Sequence, residues 1–118
     1  MEPSQLTLDH EIARRQAEEG MGRALDRAER ETPNWGALAY ERIEDYARKH
    51  REFCGWMVVK AAALDPTFPA PPNEKAWGGP MQRAARARII ERAGTAKDPN
   101  RHGNPIPLWR STIFECDA

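Results

Sequence analysis

Lys75, Gln82, Arg83 and Arg86 lie in one short stretch, Asn73 to Arg88, that opens with a good helix cap. At about 100° per helical residue they share one side with Gly79. Trp77, Met81 and Ala84 take the opposite side. Arg and Lys contact phosphates, Arg reads guanine and Gln reads adenine in the major groove. Beyond this stretch come Lys97, Arg101, His102 and Asn104 on a loop rich in Gly, Pro and Asn, and then Arg110. Such groups suit contacts to a nucleic-acid backbone or minor groove. The same side chains equally suit an acidic protein surface, and a basic helix face is often only a solvated one. The pattern leaves these alternatives open.

Catalytic chemistry has no comparable pattern. His10, His50 and His102 are widely separated, and no His-x-x-x-His or Cys-x-x-Cys occurs. Gly78-Gly79 lacks the rest of any phosphate-binding loop. Glu18-Glu19 and Glu44-Asp45 are neighbours on solvated helix faces. Cys54 follows His50 by four residues and sits beside Phe53 and Trp56. A Cys–His nucleophile pair is conceivable there, but a buried structural cysteine is the stronger reading. The expectation is therefore no enzyme, no cofactor and no metal.

The chain of 118 residues is 40% hydrophobic and 31% charged, which suits one folded domain. The net charge is zero. That alone argues against strong nonspecific nucleic-acid binding. Residues 1–50 carry 8 basic against 11 acidic groups, and residues 51–118 carry 10 against 7. The stretch 73–111 holds 8 against 3, so positive charge gathers around the candidate face. No apolar run approaches the roughly 20 residues that span a bilayer, and the N-terminus has no signal-peptide pattern. The expected location is the cytoplasm, with no membrane partner. Cys54 and Cys116 are expected to be free thiols.

The first 31 residues read as a helix, with Leu8, Ile12, Met21, Ala24, Leu25 and Ala28 on one stripe and Gly20 and Gly22 weakening its middle. Thr32 before Pro33 signals a second helix, running to about His50. Its predicted stripe is Trp35, Leu38, Ala39, Ile43, Tyr46 and Ala47. A brief extended segment, 51–55, precedes a short helix over 56–64. Prolines 66, 69, 71 and 72 exclude a helix after Asp65. A helix over 74–88 is predicted from the Asn73 cap, with a break expected near Gly79-Pro80. The end reads as a hairpin, with strands over 89–96 and 106–113. Pro105 and Pro107 point to an edge strand. The four tryptophans, one per element, read as parts of a shared core.

This order predicts a mostly helical α+β protein: an N-terminal helical extension, 1–32, then a winged helix-turn-helix of three helices and a β-hairpin wing, 33–114, and a frayed tail, 115–118. The third helix of that series would enter the major groove.

Two groups of residues resemble a family of small uncharacterised phage and prophage proteins. One is Ala76-Trp77-Gly78, Arg83-Ala84-Ala85-Arg86, Ile89-Ile90, Gly94, His102-Gly103-Asn104 and Pro107-Leu108-Trp109-Arg110. The other is Glu19-Gly20-Met21, Ala24-Leu25, Ala28-Glu29, Pro33-Asn34-Trp35 and Ala39-Tyr40. The resemblance covers about three-quarters of the chain. Departures fall at Gly79-Pro80, where larger helix formers are usual, and at Arg88, where the family has glycine. The resemblance implies a phage origin, a host bacterial cytoplasm and a winged-helix-like C-terminal part, with no functional residues to carry over. Two functions then compete. One is double-stranded DNA binding as a regulator or replication accessory. The other is counter-defence, in which an anti-CRISPR-like inhibitor binds a host protein complex. Homodimerisation through the N-terminal helix is a further expectation.

Overall fold

The computed structural model describes residues 3–99 and 103–115, with side chains from Arg15 onward. Helix α1 spans Pro3–Glu31, α2 Trp35–Lys49, β1 Glu52–Cys54 and α3 Gly55–Ala63. A 3-10 turn, Glu74–Trp77, leads directly into α4, Gly78–Arg86, and strands β2, Ile90–Lys97, and β3, Pro105–Ser111, close the fold. Among the described residues the architecture is α+β: four α-helices and one antiparallel sheet in the order β1-β3-β2. Residues 116–118 of the expected frayed tail, Cys116 among them, lie outside the described residues, as do the side chains of Leu8 and Ile12, whereas the Glu115 amide donates to the Arg48 carbonyl at 2.9 Å.

Alanine sets how closely the helices approach. Seven of the fourteen buried core residues are alanines, drawn from α1 (Ala24, Ala28), α2 (Ala39, Ala47), α3 (Ala62), the 3-10 turn (Ala76) and α4 (Ala84). Small side chains let helix axes converge, and a few large ones fill the space between them. Trp35, Ile43, Phe53, Val58 and Ile90 are the bulky members, each almost fully buried.

Trp35 opens α2 and is wholly buried. Its indole N–H donates to the Pro69 carbonyl at 2.9 Å. Its ring meets Trp77 edge-on at 5.3 Å and Phe68 at 6.3 Å, while Phe68 stacks on Trp77 at 5.5 Å. The proline-rich segment is thereby bound to the core. It is held on its other side by Arg42, which pairs with Asp65 and lies over the Phe68 ring. Asp65 also accepts from the Thr67 amide and hydroxyl.

Helix starts and stops depart from expectation in informative ways. The α2 cap is Asn34, not Thr32, and it adopts the left-handed conformation (φ 66°) that Asn tolerates. No side chain of the cap itself satisfies the helix. Instead the Gly36 amide donates to Glu29 Oε1 at 3.0 Å, so a carboxylate from α1 caps α2. A Cβ on Gly36 would meet that oxygen at 2.7 Å. In α2, Gly36 takes a buried place and Leu38 is exposed, contrary to the predicted stripe. Helix α4 ends at Arg86, two residues early, and Pro80 lies in its first turn. The first turn is where an α-helix best tolerates a missing N–H.

A proline strand at the sheet centre corrects the edge-strand expectation. The cause is the length of β1. It covers only Leu108, Trp109 and Arg110 of β3, so Pro105 and Pro107 lie beyond it and face a partner on one side only. A bulge between Arg92 and Gly94 interrupts the β2–β3 register.

Past α4, Arg88 takes the left-handed conformation at φ 62°. The Arg88 amide donates to Ala85 at 3.1 Å and the Ile89 amide to Ala84 at 3.2 Å, a Schellman closure. That geometry favours glycine, and a side-chain residue held there costs about 1 kcal/mol. Arg88→Gly is therefore expected to raise stability by about 1 kcal/mol, moving Tm up a few degrees. An unchanged or lower Tm would contradict this account. A second expectation concerns acid. The hydrogen bonds from Thr67 and Arg42 hold the Asp65 carboxyl down at about 2, below its ordinary 3.8. A depressed carboxylate stabilises the fold above its unfolded value and loses that effect as pH falls toward the folded one. Between pH 4 and 2 the native chain should lose stability more steeply than Asp65→Asn, as followed by Tm against pH.

Candidate functional site

The 3-10 turn and α4 carry the basic residues singled out from sequence. Lys75, Arg83 and Arg86 are exposed, whereas Pro80, Met81 and Ala84 are buried against α2 and the core. The two-faced character is therefore present in the structure, but the polar face is not open along its length. Leu25 of α1 seats on Gly79 and Met21 on Gly78. A Cβ at Gly79 would meet the Leu25 Cδ2 atom at 2.7 Å, and one at Gly78 would overlap the Met21 side chain. The glycine pair that looked like a fault in a helix admits α1 at close range. Gly79, assigned to the open face, is half-buried beneath it.

Gln82 is also half-buried. It lines a cleft beside Asp98 and does not stand among the exposed cations. Arg83 lies over the Tyr40 ring of α2 at 4.5 Å, so its guanidinium has a fixed platform. Arg86 is exposed at the C-terminal end of α4. Lys97 is exposed at the tip of β2. Arg110 sits in β3 opposite Glu52 on one side and Glu91 on the other, and pairs with the Glu91 carboxylate at 3.7 Å. Its positive charge is locally balanced. Arg101 and His102 fall outside the described residues. The structure thus brings Arg83 and Arg86 together on one helical turn, leaves Lys75 at the far end of the same helical run, and separates Gln82 and Arg110 from them.

The hairpin loop is closed by backbone hydrogen bonds: Asp98 N–H to the Asn104 carbonyl and Gly103 N–H to the Asp98 carbonyl, both at 3.0 Å. Asp98 is buried. The cleft that it helps to line has a volume of about 380 Å³ and lies where α1, α3, α4 and the hairpin meet. Trp56, Trp77 and Trp109 all border it. Assigning every tryptophan to the core concealed this feature. The only sequence trace was three tryptophans on the elements that converge here.

Cys54 and His50 each have other neighbours. Cys54 is buried at the end of β1, and both burial and the nearby Asp98 carboxylate push its thiol pKa up. An activated thiol has the opposite shift. His50 stacks on Tyr46 at 3.8 Å, with Nδ1 against the Tyr46 carbonyl. Among the described residues no group of His, Cys, Asp and Glu is placed to hold a metal ion. No described helix is long and apolar enough to cross a membrane.

Compared with family models, curated proteins and solved structures, the chain matches none.

In a Cys116→Ser chain, Cys54 should resist a thiol-directed disulfide reagent at pH 8 and react fully once the protein is unfolded. Rapid labelling of the folded protein would show that the thiol is open and ionisable.

Proposed function

We propose that residues 33–114 form a winged helix-turn-helix and that the chain binds double-stranded DNA, as a non-catalytic regulator or replication accessory of phage origin. The observation that carries this reading is topological. A helix, a short strand, two helical segments and a hairpin follow one another, and the short strand joins the hairpin in a β1-β3-β2 sheet. The exposed cations of α4 and of the hairpin support it.

The cover that α1 places on Gly78-Gly79 shapes the mode of contact. Among the described residues, Arg83, Arg86, Lys75 and Lys97 are the groups left to touch the duplex, and they suit phosphates better than a deep reading of base edges. Few phosphates are then neutralised, so affinity is modest and its salt slope shallow, about −3 in log K against log salt if three are engaged.

A second reading follows from the same cover. A helix that cannot fully enter a groove still presents Arg83 and Arg86 to an acidic protein surface, as an inhibitor of a host protein complex would.

Fluorescence anisotropy of a labelled random duplex separates the two. Under the first reading, binding at low salt weakens as salt rises, and Arg83→Glu with Arg86→Glu reduces it at least tenfold with an unchanged Tm. Undiminished binding by that double variant would sink the site assignment. No binding at low salt would transfer the basic face to the protein-inhibitor reading.

A further inference from the structure

Arg83 and Arg86 of α4 are three residues apart and so are neighbours on the helix surface. Neither has a carboxylate partner among the described residues, whereas Arg27, Arg42, Arg48 and Arg110 each pair with one. The negative end of the α4 dipole favours a cation in this last turn, lysine or arginine alike. What distinguishes the two arginines is the surface beneath them. The Arg83 guanidinium lies 4.5 Å from the centre of the Tyr40 ring, and Tyr40 is itself half-buried against the core. Among the described residues no ring underlies Arg86. Two other arginines lie over rings, but each has acid beside it: Arg42 pairs with Asp65, and Arg51 shares its cleft with Glu52. Arg83 thus joins an aromatic platform to an exposed charge that no described carboxylate pairs.

An arginine side chain in solvent samples many rotamers, and ordering it at an interface costs affinity. A guanidinium held over a ring has lost part of that freedom before any partner arrives. Its planar fork of N–H donors matches two oxygens of one phosphate, which the single ammonium of lysine does not.

We infer that Tyr40 is a positioning residue that holds Arg83 ready to grip one phosphodiester group of a duplex, so that position 83 requires arginine whereas position 86 requires only a positive charge. The inference rests on the duplex-binding reading above. Charge counting alone makes the opposite statement, since lysine at either position neutralises one phosphate equally well.

The test is fluorescence anisotropy of a labelled random duplex at low salt and through a salt series, with Tm followed for every variant. Arg83→Lys is expected to weaken binding about three- to tenfold at an unchanged salt slope, because the charge is kept and the fork is lost. Arg86→Lys should bind within about twofold of wild type. Tyr40→Phe, which keeps the ring, should bind as wild type does. Tyr40→Leu should weaken binding about two- to tenfold by releasing Arg83, and should weaken Arg83→Lys no further. Should Tyr40→Leu not fold, Tyr40→Met, which keeps the bulk without the ring, takes its place. Wild-type affinity in Arg83→Lys, or equal losses in Arg83→Lys and Arg86→Lys, would overturn the role of Arg83 while duplex binding itself stood. A loss from Tyr40→Leu that is as large in the Arg83→Lys background would show that Tyr40 acts through packing alone and would overturn its positioning role. Absence of wild-type binding at low salt would refute the duplex reading, and this inference with it.

Discussion

The fold turns on the burial of Trp35. A ring this large, placed at the first residue of a helix, must be enclosed on every side and must find an acceptor for its N–H. The Pro69 carbonyl supplies the acceptor, and Phe68 and Trp77 supply two of the walls. One side chain thereby ties the start of α2 to the proline-rich segment and to the 3-10 turn before α4. The alanines around it matter for the same reason. They draw the helices close enough that one tryptophan fills the gap between them. Without that bulk at the centre, so small a set of alanine contacts would bury little apolar area.

Much of this was legible from local pattern. Helical spacing gave the four α-helices, the prolines after Asp65 gave the long connection, and Gly, Pro and Asn gave the hairpin loop. Two positions singled out from the sequence coincide with special geometry in the structure. Arg88 stands where left-handed backbone calls for glycine, and Gly79-Pro80 stands where α1 crosses. What stayed hidden depended on contacts between distant residues. The Glu29 carboxylate caps a helix that it does not belong to, and nothing near Thr32 or Asn34 announces it. The edge-strand inference from Pro105 and Pro107 was sound chemistry applied to the wrong strand order, because the short reach of β1 is invisible in β3 itself.

The candidate face was legible as a list of residues but not as a surface. A helical wheel places Gly79 and Gln82 beside Arg83 and Arg86 with equal standing. Only the tertiary packing reveals that Leu25 covers the first and that the second turns toward the cleft. Charge behaves in the same way. Arg110 counts as a cation in the sequence, yet the register sets Glu52 and Glu91 on either side of it. A net positive stretch of chain is thus not the same as a net positive patch.

The bulge in β2 has a consequence for how copies of this chain coexist. The order β1-β3-β2 leaves β2, eight residues long, as an outer strand with one row of backbone donors and acceptors unpaired within the sheet. A long straight edge of that kind invites a strand from another molecule to add on. Here the register slips between Arg92 and Gly94, and the Arg92 Nε–H group turns back to the Gly94 carbonyl at 2.9 Å. Glu91, Arg92 and Lys97 add exposed charge along the same strand. The irregular middle and the charged ends break up the straight edge, features that disfavour strand addition.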